Sequence, residues 1–230
     1  MNINKYLIFV VCSFFILSKV QAENLKNIEL PMFDIMTGMK TVWVAKKMIY
    51  NGQPMSIQKY KSNRQAKDVM RFFESKWKIK GLGELKYQKV GKELTIGFVD
   101  KGYSYSVQAS DIPGGSTGTL VVTRNKIFKQ AKLTFPLSPN AHIVSRIHNL
   151  DMGIKSETIT VSNYHSVLMN KQWYESTLTR AGWIGQTTMG GRKENTLEYQ
   201  RGKELCQLTF IGRSPVREHR SMVMIHWIKG

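Results

Sequence analysis

The chain is poor in the residues that most active sites are built from. It has two cysteines in 230 residues, Cys12 and Cys206. Cys12 lies in an apolar N-terminal run and is not followed by a lipobox pattern, so no lipid attachment is expected there. Cys206 then stands alone. No internal disulfide is available, and the fold must rest on its hydrophobic core. C-Q-L-T-F around Cys206 reads as a buried strand with an inert thiol. Cys-x-x-Cys does not occur. His142, His148, His165, His219 and His226 never fall at the H-x-x-x-H spacing of a helical zinc site. His165 and His226 therefore read as structural.

Acidic residues are scarce, 16 against 34 basic ones, and no pair of them reads as a hydrolytic dyad. Ser75 and Lys78 have S-x-x-K spacing but lack the S-D-N and K-T-G companions. P-G-G-S-T-G-T at 113–119 lacks the lysine of a phosphate loop. Its flanks are two strands, so it reads as a hairpin connection. Gly190-Gly191 before Arg192-Lys193 reads as another loop. After Leu17 no apolar run is long enough to span a bilayer. The sequence thus offers no catalytic, metal-binding or cofactor-binding residues, implies no cofactor, and points away from an enzyme.

What is present begins with an address. Asn2, Asn4 and Lys5 form a short polar region, Tyr6 to Leu17 is almost unbroken apolar sequence, and Val20-Gln21-Ala22 is a small-residue cleavage site. Residues 1–22 read as a removable signal peptide, with retention as an uncleaved anchor the alternative. The expected location is the periplasm or outside the cell. Losing Lys5 and Lys19 lowers the formal net charge from +18 to +16. Such an excess suits acidic surroundings, whether nucleic acid, anionic lipid, acidic polysaccharide or an acidic protein. Solubility alone is the other reading.

The chain also repeats itself. F-F-E-S at 72–75 matches W-Y-E-S at 173–176. Tyr87-Gln88 before G-K-E-L at 91–94 matches Tyr199-Gln200 before G-K-E-L at 202–205. The two G-K-E-L turns are expected to be equivalent. A leader over 23–40, a first repeat over 41–124, a linker over 125–150 and a second repeat over 151–230 follow from this.

In the first repeat, Thr41–Ala45 reads as a strand and Met55–Tyr60 alternates as a second one. Ser62 and Gln65 form a capping-box pattern. Ala66, Val69, Met70, Phe73 and Trp77 then make one apolar helical stripe, with Gly81 as C-cap. Strands follow over Leu85–Val90, Leu94–Asp100, Tyr103–Ala109 and Thr119–Thr123. In the second repeat Ser162 or Asn163 is the expected cap. Tyr164, Val167, Leu168, Tyr174, Leu178 and Ala181 form the stripe, and Gly182 ends the helix. Later strands flank a loop around Pro215. The expected class is α+β: two tandem β-α-β-β-β units, each an antiparallel sheet covered by one helix.

W-Y-E-S-T-L-T-R-A-G-W at 173–183 resembles a helix-to-strand segment of many small exported bacterial proteins, with an aromatic, Tyr, Leu and then Gly-Trp. N-G-Q-P-M-S-I-Q-K-Y at 51–60 also looks like exported two-copy proteins of largely uncharacterised function. The resemblance covers about a third of the processed chain. It implies an exported, non-enzymatic protein serving an envelope machine such as a pilus or secretion system, and it transfers no functional residues.

The basic residues are unevenly spread. Between Asp34 and Asp68 lie seven bases and no acid, and between Asp111 and Asp151 five bases and no acid. Arg64, Lys67, Arg71 and Lys78 fall on the side of the first helix opposite its apolar stripe. This ridge is the candidate binding surface, for an acidic envelope protein or assembly component. A solvated helix face is the plain alternative. DNA or another polyanion is the alternative partner. Tyr103 and Tyr105 are candidate stacking residues on a sheet face, although no nucleic-acid motif accompanies them.

Overall fold

The computed structural model describes residues 28–79, 85–151, 153–186, 195–214, 216 and 218–230. The expected signal peptide, the Gly81 cap, the Gly190–Lys193 loop and Pro215 lie outside the described residues. A hairpin turn forms at Asn51-Gly52, where φ is 47° and 87°. Two left-handed residues in succession are what a tight type I′ hairpin requires. This turn joins β1 (Met39–Tyr50) to β2 (Gln53–Ser62). There follow α1 (Ala66–Ile79), β3 (Lys86–Val90), β4 (Glu93–Asp100), β5 (Tyr103–Ile112) and β6 (Gly115–Arg124). The second half holds β7 (His142–Asp151), β8 (Ile154–Asn163), α2 (Val167–Arg180) and β9 (Ile184–Gly185). It ends with β10 (Thr196–Arg201), β11 (Glu204–Ile211) and β12 (Ser221–Lys229).

All the strands join one 12-stranded antiparallel sheet, in the order β3-β4-β5-β6-β2-β1-β7-β8-β12-β11-β10-β9. Read outward from the β1–β7 seam, the two halves have the same order. The expected α+β class and its β-α-β-β-β units are therefore overturned. Strands hold 53% of the described residues against only two helices, so the protein is mostly antiparallel β. Each helix has two strands before it and four after it. Of the two strands missed in the second half, one was hidden in the expected linker, where β7 occupies 142–151, and the other is the two-residue β9. Arg146 interrupts the apolar alternation of β7, because its burial depends on an ion pair with Glu157 on the neighbouring strand.

The equivalence of the two G-K-E-L turns is also corrected. Gly91-Lys92 joins β3 to β4, whereas Gly202-Lys203 joins β10 to β11, which match β4 and β5 in the sheet order. The aromatic-E-S strings do coincide. Both begin at the seventh position of a 14-residue helix.

The helices pack on one face of the sheet, over two separate cores. In the first, Val69, Phe73 and Trp77 of α1 meet Tyr60, Ile96, Phe98, Val107 and Leu120. All five residues of the expected α1 stripe are buried. In the second, Tyr174 and Leu178 meet Ile159, Val161, Leu208, Phe210, Val223 and Ile225. The stripe expected for α2 is only partly right, since Tyr164 and Leu168 are exposed and Asn170 is buried. Asn170 is satisfied by Asn163 and Ser221, at 2.8–3.0 Å.

The caps also differ from expectation. Asp111 accepts the Ala66 N–H at 2.7 Å, while Ser62 accepts from Arg64. Ser166, not Ser162 or Asn163, caps α2 by accepting from Met169. Two extended segments close the cores. Phe33 meets Phe73 and Tyr105 edge-on, and Phe135 packs on Trp183 and Trp227. Gly118 is needed where β6 crosses β5, because a Cβ there would lie 1.8 Å from the Gln108 carbonyl oxygen.

Candidate functional site

The apolar stripe of α1 turns its other side to solvent, and Arg64, Lys67, Arg71 and Lys78 are all exposed there. They are not equivalent. Arg64 precedes the first helical turn. Arg71 pairs with Asp68 at 3.2 Å, and Lys78 with Glu74 at 2.6 Å. Such exposed pairs add little stability, but they halve the free charge of the ridge. The Lys78 ammonium, and then the Tyr87 hydroxyl, hold the Glu74 carboxyl below its ordinary range. Lys78 is thus turned toward its own neighbours.

Lys67 and Arg71 instead overlook a groove between α1 and the β3–β4 hairpin, about 370 Å³ in volume. Buried Met70 and half-buried Leu94 lie beneath it, and exposed Lys89 of β3 joins Lys67 and Arg71 around it. Among the described residues, no carboxylate lines the groove. Lys89 escaped the sequence reading, because only tertiary packing brings β3 beside α1. Lys86 and Lys89 lie three apart on a short strand and so on opposite faces, and no local periodicity marked Lys89.

Tyr105 does not serve as an open stacking platform. It lies flat on Phe98, with ring centroids 4.5 Å apart and planes 7° apart, and Phe33 abuts it. Burial pushes its hydroxyl pKa up. Cys206 is buried against Trp227, and burial, then the charge of Glu204, pushes its thiol up to about 12. Ser75 donates to the Phe72 carbonyl and Lys78 is held by Glu74, so the S-x-x-K pair is occupied locally. His226 shares a hydrogen bond with Thr158, and the backbone of His165 bonds Asn163 and Ser221. Among the described residues, no three His, Cys, Asp or Glu side chains gather as metal ligands. No described helix is long and apolar enough to cross a membrane.

One charged cluster lies inside the second half. Glu157 is fully buried on β8. One of its oxygens accepts from Arg146 Nε, and the other from Lys229 Nζ at 2.6 Å. Arg146 Nη1 also donates to the Ala131 carbonyl at 2.6 Å, so the cluster ties β7, β8 and β12 to the segment that crosses them. Burial alone would raise the Glu157 carboxyl, but the hydrogen bonds from Arg146 and Lys229 hold it below its ordinary value. Burial keeps nearby His148 neutral, with its pKa lowered. Both carboxylate oxygens are occupied, which makes this a structural fastening. No family model matches the chain, and neither a curated protein nor a solved structure matches it.

Proposed function

We propose that this is a non-enzymatic adaptor of the bacterial cell envelope, periplasmic or secreted, that binds an acidic segment of a partner protein. The α1–β3 groove is its binding site, and the partner belongs to an assembly such as a pilus or secretion system. One observation carries this reading: Lys67, Arg71 and Lys89 surround an apolar floor that no carboxylate of the described residues lines. An acidic segment with one apolar anchor complements that surface in both charge and polarity. The assembly itself rests on the resemblance of 173–183 and 51–60 to exported proteins. The nucleic-acid alternative has less support, because Tyr105 is packed away and Arg71 is partly neutralised by Asp68.

Crosslinking in the periplasm, with the sites of linkage mapped, tests the proposal. An acidic protein linked at Lys67 or Lys89, and lost when Lys67 and Arg71 are reversed to Glu, is the expected result. Linkage that survives the reversal would refute the groove. Salt-sensitive retention of DNA by the purified protein, lost in the same variant, would promote nucleic acid instead.

A further inference from the structure

The two halves of the sheet overlap very little. β1 and β7 are paired only through Met48–Asn149, Ile49–His148 and Tyr50–Ile147. β1 has 12 residues, so its first part, Met39–Ala45, runs beyond β7 and is paired with β2 alone. Among the described residues, its outer edge has no neighbouring strand. Free edges present unpaired N–H and C=O groups to any extended chain. The side chains here invite such pairing. Val42 is 70% exposed, Val44 55% and Trp43 39%. Opposite Trp43, Gln58 is 6% exposed, and its side-chain oxygen has no hydrogen-bond partner.

The charges beside this edge are unusual. Lys40 stands directly opposite Lys61, and Val42 directly opposite Lys59. The three lysines therefore share one face of two adjacent strands. All are exposed, and no carboxylate pairs with any of them. Next to them on β6 stand Thr117 and Thr119, which bring no compensating charge. Like charges directly opposite in a sheet are destabilising. The fold gains nothing from the arrangement, whereas an incoming strand with carboxylates would be held by it. A second copy of this edge would instead bring lysines against lysines.

We infer that the outer edge of β1 over Met39–Ala45 accepts an extended acidic segment of a partner protein as an added strand. Backbone hydrogen bonds hold it, its carboxylates lie on the face of Lys40, Lys59 and Lys61, and its apolar side chains lie on the other face, beside Trp43. This surface shares no residue with the α1–β3 groove, and the inference does not rest on that reading.

The test uses the purified protein and a synthetic peptide of alternating Glu and Val. Hydrogen exchange is followed residue by residue, with binding measured by fluorescence anisotropy. The expected result is saturable binding with new protection of the amides between Thr41 and Ala45. The same peptide with Lys for Glu gives none. Reversing Lys40 and Lys61 to Glu weakens the Glu peptide about tenfold and admits the Lys peptide. Circular dichroism verifies that this exposed double variant is folded. Unchanged exchange at 41–45 would overturn the inference. So would protection confined to α1 and β3, which would assign the peptide to the groove. Protection at 41–45 that grows with protein concentration alone would overturn it in favour of self-association.

Discussion

Replacing Glu157 by Gln should unfasten the second half of the protein. The substitution keeps the shape and removes the charge. Lys229, with its side chain 33% exposed, can turn back to water, but Arg146, at 8%, cannot. The variant therefore leaves one guanidinium buried without its counter-charge, which costs about 3–5 kcal/mol. Domains of this kind have about 5–15 kcal/mol in all. With a urea slope near ~2 kcal/mol per molar, the midpoint falls by about 2 M. Replacing both partners, Arg146→Met with Glu157→Leu, should recover most of the loss, because no orphan charge remains.

The same carboxylate sets an acid dependence. Its pKa is lower in the folded chain, so its contribution is complete above the unfolded carboxyl value of 4.5. The contribution is lost as the pH falls through the folded value. His148 acts in the same direction higher up. Its folded pKa lies below the ordinary 6.5, so the unfolded chain takes up the proton first as the pH drops. Urea titrations followed by circular dichroism from pH 7 downward read both effects. Glu157→Gln should flatten the lower part of the acid slope and enlarge the His148 part, because the Glu157 charge partly offsets the effect of burial on His148. A variant within about 1 kcal/mol of the parent, or with the full slope intact, would refute the fastening.

Trp77→Ala should cost about 3–5 kcal/mol, since Trp77 sits between Phe73 and Phe98, with centroids at 5.7 and 4.2 Å. An unchanged melting temperature would show that this helix face is not packed as described. Cys206 should resist a thiol reagent at pH 8 until denaturant is added, because burial holds its pKa near 12. Rapid labelling of the native protein would contradict that burial.

Much of α1 was legible, because five apolar residues at helical spacing carry their own evidence. α2 was less so. Asn170 is buried through bonds to Asn163 and Ser221, and apolar periodicity does not register a polar residue that is satisfied by distant partners. β7 was missed for the same reason, its buried Arg146 being made tolerable only by Glu157 on the next strand. The repeated G-K-E-L strings misled because the second starts 22 residues after its helix and the first 12, which places the second string one hairpin later. Of the candidate ridge, Lys67 and Arg71 were readable from helical spacing. Lys89 was not, and neither was the free edge of β1, since strand order alone decides which edges remain open.

The narrow seam bears on how the molecule comes apart. Each half has its own core and its own covering segment, and among the described residues three strand-register pairs and the Asn51–Arg146 contacts link the two halves of the sheet. Cooperativity follows buried contact, so each half behaves as its own foldon. Melting is then the sum of two transitions, with a van't Hoff enthalpy smaller than the calorimetric one. Damage at Glu157 lowers the transition of the second half and leaves the first half, with both proposed binding surfaces, standing.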